Sequence, residues 1–150
     1  MSFVTKFVRL PSRRRRLVTK AVVMLVMVRV GLKLLAYEKM HNLIERFAGS
    51  GKVKIESDAN AAADSSADIV WAVTSAASRI PGTTCLPRAL VGRYLLLRVG
   101  CPARVRFGVA KQSDGAFAAH AWLESRDRIL LGGETALDYS PMPVWPPDAA

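Results

Sequence analysis

The apolar positions in the C-terminal two thirds of the chain follow two different periods. From Ile69 to Ile80 they recur at helical spacing, and Pro81-Gly82 then ends the run. In ARVRFGVA, residues 103–110, apolar and polar residues alternate, which is typical of a strand with one buried side. The pattern therefore predicts a helix, followed further along the chain by a half-buried strand.

A second helix is predicted between these two runs. Its apolar side consists of Leu86, Ala89, Leu90, Tyr94, Leu95 and Leu97. Pro87 fits only the first turn, where its missing N–H leaves no hydrogen bond unmade. Thr83 and Thr84 are suitable capping residues. The sequence therefore predicts that Cys85 is the first residue of this helix or lies next to it.

Two further strand-like runs follow, AAHAWLES over 118–125 and ILLGGE over 129–134. Turn-forming residues separate them, with Ser-Asp-Gly inside 111–117 and Arg-Asp-Arg at 126–128. The three runs predict a small antiparallel meander packed on the helix that carries the cysteine. The predicted fold class is α+β.

The N-terminal third is predicted to be helical, with Ser12 as the N-cap. It carries four consecutive arginines from position 13, but its apolar run of eight residues from Ala21 ends at Arg29. A membrane span needs about 20 predominantly apolar residues, and no A-x-A cleavage site marks a signal peptide. We therefore expect one long helix, or two, whose apolar side packs on the rest of the chain or on a partner.

The expected division of the chain is a helical region over 1–50 and a second unit over 51–150. Gly-Ser-Gly at 49–51 is a natural helix stop, and VKIES at 53–57 is a candidate strand. The stretch at 58–68 is small, polar and rich in alanine, and it fits either a helix start or a linker. The boundary is placed near 49–56.

Charge separates the same two regions. Residues 1–54 hold 13 Lys and Arg against 2 Asp and Glu, whereas residues 55–150 hold 9 against 10. A basic helix suits anionic lipid or an acidic partner. The near-neutral remainder, without a nucleic-acid-binding motif, argues against nucleic acid. Two cysteines make no disulfide framework, so we expect a reduced, cytoplasmic protein.

Cys85 is the candidate nucleophile. The N-terminus of a helix carries partial positive charge and free N–H groups, which favour a thiolate and can face a developing oxyanion. The alternative is that Cys85 is a small buried hydrophobic residue, which is common for a lone cysteine. Cys101 follows Gly100 and precedes Pro102 at a turn, and it is interpreted as structural.

His120 is the candidate general base. It shares a strand face with Trp122 and Glu124, and a strand histidine between a donor and an acceptor can exchange protons. The alternative is a structural histidine. Papain-like and transglutaminase-like folds share the order of a helix-terminal cysteine, a strand histidine and then an acidic or amide residue. His41 lies in the basic helical region and has no such context.

The acidic third member follows from counting residues in the hairpin. If the chain turns at Arg126-Asp127, His120 lies opposite Gly133, and Glu134 is the nearest acidic residue. Asp138 lies further along, and Asp127 is at the turn itself. Glu134 is therefore the predicted third residue, with the other two left open.

Several motifs between Trp71 and Glu124 resemble those of the lasso-peptide leader peptidases, which are transglutaminase-like cysteine proteases. The matching pieces are WAV, CLPRAL, FGVA and AHAWLE. The resemblance implies a papain/transglutaminase-like core in which Cys85 is the nucleophile and His120 the base. The Asp that the family has after the third strand is replaced here by Gly132 and Gly133, and Glu134 is the candidate substitute.

The resemblance also implies an activity and partners. The expected reaction is hydrolysis of one peptide bond between the leader and the core of a lasso precursor, with no metal or organic cofactor. The first 50 residues lack the strands of a fused leader-recognition domain, so the chain resembles the split layout, which uses a separate recognition protein. The basic helix is a candidate docking site for that protein, the precursor, the lasso cyclase or a membrane surface. The alternatives are acyl transfer to an amine and a non-catalytic scaffold.

Overall fold

Four helices precede a small sheet in the computed structural model, which describes residues 10–49, 59–134 and 136–143. The helices are α1 (Ser12–Leu34), α2 (Tyr37–Gly49), α3 (Ala59–Ala77) and α4 (Cys85–Leu97). The strands are β1 (Arg104–Lys111), β2 (Phe117–Ser125), β3 (Arg128–Leu131) and β4 (Ser140–Pro141), with a 3-10 turn over Ala136–Asp138. The predicted α+β class is confirmed.

Helix α1 buries one side in the core. Its buried residues recur every three or four positions: Val18, Ala21, Leu25 and Val28. The prediction that Ser12 is the N-cap is wrong by one residue, because Pro11 takes that position and no side chain caps the helix. None of the described helices is long and apolar enough to cross a bilayer.

Helix α4 lies between the other helices and the sheet. Leu90 and Leu96 are fully buried on it. A Cβ on Gly92 would stand 2.5 Å from Leu131 Cδ1 and 2.9 Å from Leu123 Cδ2. A residue without a side chain therefore lets this helix approach β2 and β3 closely at Gly92.

The four strands form one antiparallel sheet in the order β3-β2-β1-β4. The meander predicted for the first three strands is confirmed. Strand β4 extends the sheet on its far edge, where Gly108 pairs with both His120 and Pro141. The sequence pattern did not predict β4, which is only two residues long.

The turn between β2 and β3 lies at Arg126 and Asp127, as predicted. Both have positive φ, 48° and 60°, as a two-residue hairpin turn requires. The third strand is shorter than predicted, because β3 ends at Leu131 and Gly132 turns the chain with φ 77°. The expectation that the strand reaches Glu134 is wrong.

One hydrophobic core joins residues from both of the predicted regions. Leu25 of α1 and Ile44 of α2 belong to the same cluster as Leu90 of α4 and Leu123 of β2. Helix α2 ends at Gly49, as the Gly-Ser-Gly stop predicted. Residues 50–58 lie outside the described part of the chain, so the boundary near 49–56 and the strand at 53–57 stay predictions.

Candidate active site

Cys85 is the first residue of helix α4, as the position of Pro87 predicted. Thr84 precedes it as an extended N-cap residue that makes no side-chain capping bond. The thiol is free and half-buried. The residue therefore lies at the positive end of the helix dipole, where backbone N–H groups of the first turn have no partner within the helix.

A small cleft lies beside Cys85. Its other lining residues are Arg88 and Ala89 of α4, Ala121 of β2, and Leu131 and Gly132 at the end of β3. The cleft thus runs from the N-terminus of the helix to the point where the third strand turns away. Sequence reasoning did not single out Arg88, although its position three residues after Cys85 puts both on one helix face.

The side chain of His120 is hydrogen-bonded to Gly132, the residue that follows the last residue of β3. Its Nε2 lies 2.9 Å from the carbonyl oxygen of Gly132. A carbonyl oxygen can only accept, so Nε2–H is the donor in this bond. A neutral imidazole protonated at Nε2 carries its accepting lone pair on Nδ1. Gly132 therefore connects the two predicted catalytic residues, since it lines the cleft of Cys85 and binds His120.

Two aromatic rings fix the imidazole of His120. The ring centroids of Tyr139 and Trp122 lie 5.1 Å and 6.1 Å from its own, with interplanar angles of 32° and 24°. A Cβ on Gly108 would stand 2.8 Å from Trp122 Cζ3 and 2.8 Å from Tyr139 Cβ. The glycine opposite His120 in β1 therefore makes the room in which these rings pack.

Trp122 is itself held in place by polar contacts. Its side chain is buried, and its Nε1–H donates to Glu124 Oε1 at 2.7 Å. Arg106 lies 3.6 Å from the other carboxylate oxygen of Glu124. The face shared by His120, Trp122 and Glu124, which the alternation predicted, is therefore an ordered polar and aromatic surface.

The three acidic candidates lie on exposed positions. Glu134 follows the turn at Gly132, Asp138 ends the 3-10 turn, and Asp127 belongs to the β2–β3 turn. The Nε2 of His120 is hydrogen-bonded to the carbonyl oxygen of Gly132. The catalytic role of each acidic candidate stays a prediction.

His41 lies away from this cleft, in a polar cluster between α2 and α4. Burial lowers the pKa of His41 because it disfavours the imidazolium, and the charge of Arg93 lowers it further. Glu45 and a hydrogen bond with Asn42 raise the pKa by less. Arg93 is also paired with Glu45 at 2.9 Å. The arrangement is that of a structural histidine, as its sequence context indicated.

Comparison with known proteins places the chain in a family. Residues 23–144 match the family model described as the transglutaminase-like superfamily. No curated protein and no solved structure matches the chain significantly. The matched range contains Cys85, His120 and every residue that lines the cleft beside Cys85.

Proposed function

Because the chain belongs to the transglutaminase-like superfamily, we propose that it is a cysteine peptidase that removes the leader from a lasso-peptide precursor. The superfamily domain fits a cysteine peptidase or an acyltransferase in general. The observation that carries the proposal is that Cys85, at a helix N-terminus, shares a cleft with Gly132, and His120 is hydrogen-bonded to Gly132.

The proposed reaction has two steps. The Cys85 thiol passes its proton to Nδ1 of His120, and the sulfur attacks the carbonyl carbon of the scissile bond. First-turn N–H groups of α4 stabilise the oxyanion. His120 returns the proton to the leaving amine, and an acyl-enzyme remains. Water, activated by the same histidine, then hydrolyses the thioester and regenerates Cys85.

The finer assignment, removal of a leader peptide, is supported by the motifs around the cleft. CLPRAL contributes Cys85, Arg88 and Ala89 to it, and AHAWLE contributes Ala121 and also contains His120. The two segments that resemble the lasso leader peptidases are therefore those that surround the candidate nucleophile and base.

A separate leader-recognition protein is the proposed partner, and the outer side of α1 is its proposed docking surface. Five exposed apolar residues recur there at helical spacing: Val23, Val26, Met27, Val30 and Leu34. This set, named here the α1 stripe, begins beside a shallow groove whose lining includes Arg15, Arg16 and Lys20. An exposed apolar patch with a basic end fits a partner surface that is apolar and acidic.

The deciding experiment is mass spectrometry of a lasso precursor incubated with this protein and a leader-recognition protein. We expect two fragments whose masses sum to that of the precursor plus one water. Cys85→Ala should abolish them, and Cys101→Ala, which removes the other half-buried free thiol, should not. Cleavage that survives in Cys85→Ala would overturn the nucleophile assignment.

The same spectra separate the two alternatives. A product that has gained an added amine instead of water would indicate acyl transfer through the same cysteine. A scaffold would give no product, and its Cys85 would react with an alkylating probe no faster than Cys101 does. Each of these results would contradict the peptidase proposal.

A further inference from the structure

We infer that Arg29 positions Cys85 for catalysis by holding the turn that leads into helix α4. This inference rests on the proposed peptidase function, and it adds a positioning residue to that site. The Nη1–H of Arg29 donates to the carbonyl oxygen of Pro81 at 2.5 Å. Pro81 precedes the first residue of α4 by only a few positions, so the contact joins helix α1 to the segment that begins the helix of the candidate nucleophile.

The segment from Ile80 to Thr83 forms a β-turn. Its closing hydrogen bond runs from the amide of Thr83 to the carbonyl oxygen of Ile80 at 3.2 Å, and the Thr83 hydroxyl donates to the same oxygen at 2.8 Å. Proline fixes a negative φ at the second position, and Gly82 has φ 69° at the third, which together define a type II turn. The closing bond leaves the carbonyl of Pro81 to another donor, and Arg29 supplies it.

Both sides of this contact are held in place. On α1, the residues Leu25 and Val28 next to Arg29 are buried in the core, so the base of the arginine side chain is fixed. On the turn, Gly82 has a positive φ that disfavours a side chain, and a Cβ there would stand 2.9 Å from Nη2 of Arg29. The guanidinium therefore lies directly against the backbone of the turn, and glycine makes the room for it.

Helix α4 depends on this turn because no side chain caps it. Thr84 is an extended N-cap residue without a side-chain capping bond. The first N–H groups of the helix are therefore free, and the direction in which the chain enters the helix is set by the turn before it. The same N–H groups are proposed to stabilise the oxyanion, so a change in the orientation of the Pro81 peptide would displace both the Cys85 sulfur and its neighbouring donors.

The exposure of the contact decides what its loss should change. Pro81 and Gly82 are exposed, and a hydrogen bond at the surface contributes little to global stability because water competes for both partners. We therefore expect loss of the Arg29 guanidinium to alter the turn and the start of α4 while the rest of the fold stays intact. A merely structural residue would instead lower the stability of the whole chain.

The first test uses the two free thiols of the full chain. In Arg29→Met, alkylation of Cys85 by iodoacetamide should slow by about threefold or more, because the sulfur is displaced from the first-turn N–H groups that favour its thiolate. Cys101 should react at the wild-type rate, and the midpoint of urea denaturation should stay near that of the wild type. A Cys85 rate that is unchanged or higher, or an equal change at both thiols, would overturn the inference.

Two matched variants separate the contact from the charge of the helix. Arg29→Lys keeps a cationic donor for the one carbonyl, so the Cys85 alkylation rate should stay within about twofold of the wild type. Lys33→Met removes an exposed cation one turn further along α1 and should leave that rate unchanged. Slow alkylation in either of these variants, as slow as in Arg29→Met, would contradict the role of the hydrogen bond.

The second test is the cleavage of a lasso precursor. Arg29 does not line the cleft of Cys85, so Arg29→Met should lower kcat by about tenfold or more and keep KM within about threefold. An unchanged kcat, or a loss that appears only in KM, would contradict a positioning role.

The turn itself is tested by glycine variants. Gly82→Ala should lower kcat as Arg29→Met does, whereas Gly115→Ala should not, because Gly115 also has positive φ, 86°, but a Cβ there meets nothing within 4 Å. If both residues act through one turn, the double variant Arg29→Met/Gly82→Ala should lose no more kcat than the worse single variant. Losses that multiply would show that the two residues act independently and would contradict the inference.

The two proposals fail separately. A chain that cleaves no precursor, yet in which Cys85 alone reacts more slowly once Arg29 is replaced by methionine, would refute the peptidase function and leave the role of Arg29 intact. A chain that cleaves the precursor with the same kcat in Arg29→Met and wild type would refute the role of Arg29 alone.

Discussion

Arg88 lies one turn after Cys85 on helix α4, and both residues line the same cleft. The Nε of Arg88 is buried and has no hydrogen-bond partner among the residues that the structure describes. A buried cationic donor without a partner is unfavourable. Because it lies beside the candidate nucleophile, we predict that it pairs with a carbonyl or carboxylate group of a bound peptide.

Replacing Arg88 by methionine should separate activity from stability. Arg88→Met removes the donor but keeps much of the apolar stem, so kcat/KM should fall by about tenfold or more. The free energy of unfolding should stay level or rise by about 1 kcal/mol, because an unpaired buried donor is lost. Cleavage kinetics and urea denaturation measure the two effects.

Arg98→Met is the matched control, since Arg98 is exposed at the other end of α4. We expect it to leave both kcat/KM and the free energy of unfolding near the wild-type values. Equal activity in Arg88→Met and wild type would rule out a role for Arg88 in substrate binding.

His41 should make the stability of the protein depend on pH. Its pKa in the folded chain is lowered from 6.5 by burial and by Arg93, with Glu45 and Asn42 opposing. The unfolded chain therefore binds the proton more readily. The stability contributed by neutral His41 is fully present above pH 6.5 and is lost as the pH falls through the lowered folded pKa.

His41→Gln tests this dependence, because the variant keeps a polar side chain that does not titrate. Urea denaturation on both sides of pH 6.5 should show a smaller loss of stability on acidification in the variant than in the wild type. An identical pH dependence in the two proteins would show that His41 does not contribute to it.

Gly92→Ala should destabilise the fold. Alanine is favoured over glycine inside a helix by about 1 kcal/mol, but the added methyl would stand 2.5 Å from Leu131 Cδ1 in the core. Overpacking a well-packed core costs about 1–3 kcal/mol. We expect the overpacking to dominate and the free energy of unfolding to fall by about 1 kcal/mol.

Gly31→Ala is the comparison for this variant. The Cβ there meets the methyl end of Met40, a flexible side chain that adapts more easily than two packed leucines. Gly31→Ala should therefore be less destabilising than Gly92→Ala in the same thermal or urea denaturation. If Gly92→Ala were the less destabilising of the two, Leu131 and Leu123 would adapt to the added methyl group more easily than their packing suggests.

A charge in the α1 stripe should weaken binding of the leader-recognition protein. Met27 is 66% exposed, so Met27→Glu should leave the fold intact while it places an unpaired charge in an apolar contact. Isothermal titration calorimetry with the recognition protein should show a Kd at least about tenfold higher.

Phe117→Glu is the control, because Phe117 is also apolar and 75% exposed but lies at the start of β2. It should leave the Kd unchanged. If Met27→Glu binds as tightly as the wild type, the docking surface lies elsewhere on the chain.

Local sequence patterns predicted the elements of the fold well. The alternation at 103–110 gave β1, and Pro87 placed Cys85 at the start of α4. These predictions succeed because helix starts and half-buried strands depend on the residues within them. The resemblance to transglutaminase-like proteases was confirmed for the superfamily, while the lasso leader as substrate stays a prediction.

Such local patterns did not identify the third member of the site. Counting residues on both sides of Arg126-Asp127 assumed a regular hairpin that continues to Glu134. In the structure the register shifts by one residue between Leu123 and Glu124, and Gly132 then turns the chain. A β-bulge and one residue with positive φ are local features, yet they change which group is hydrogen-bonded to His120.

By itself, the sequence determined that Cys85 begins α4 and that a half-buried strand follows near 103–110, since those properties are set within a few neighbouring positions. Tertiary structure alone decided what lies around the imidazole. Tyr139 packs beside His120 because β4 pairs with β1 opposite a glycine, and Gly132 binds Nε2 because its strand ends there. These contacts depend on strand order, register and close backbone approach, which involve residues far apart in the chain.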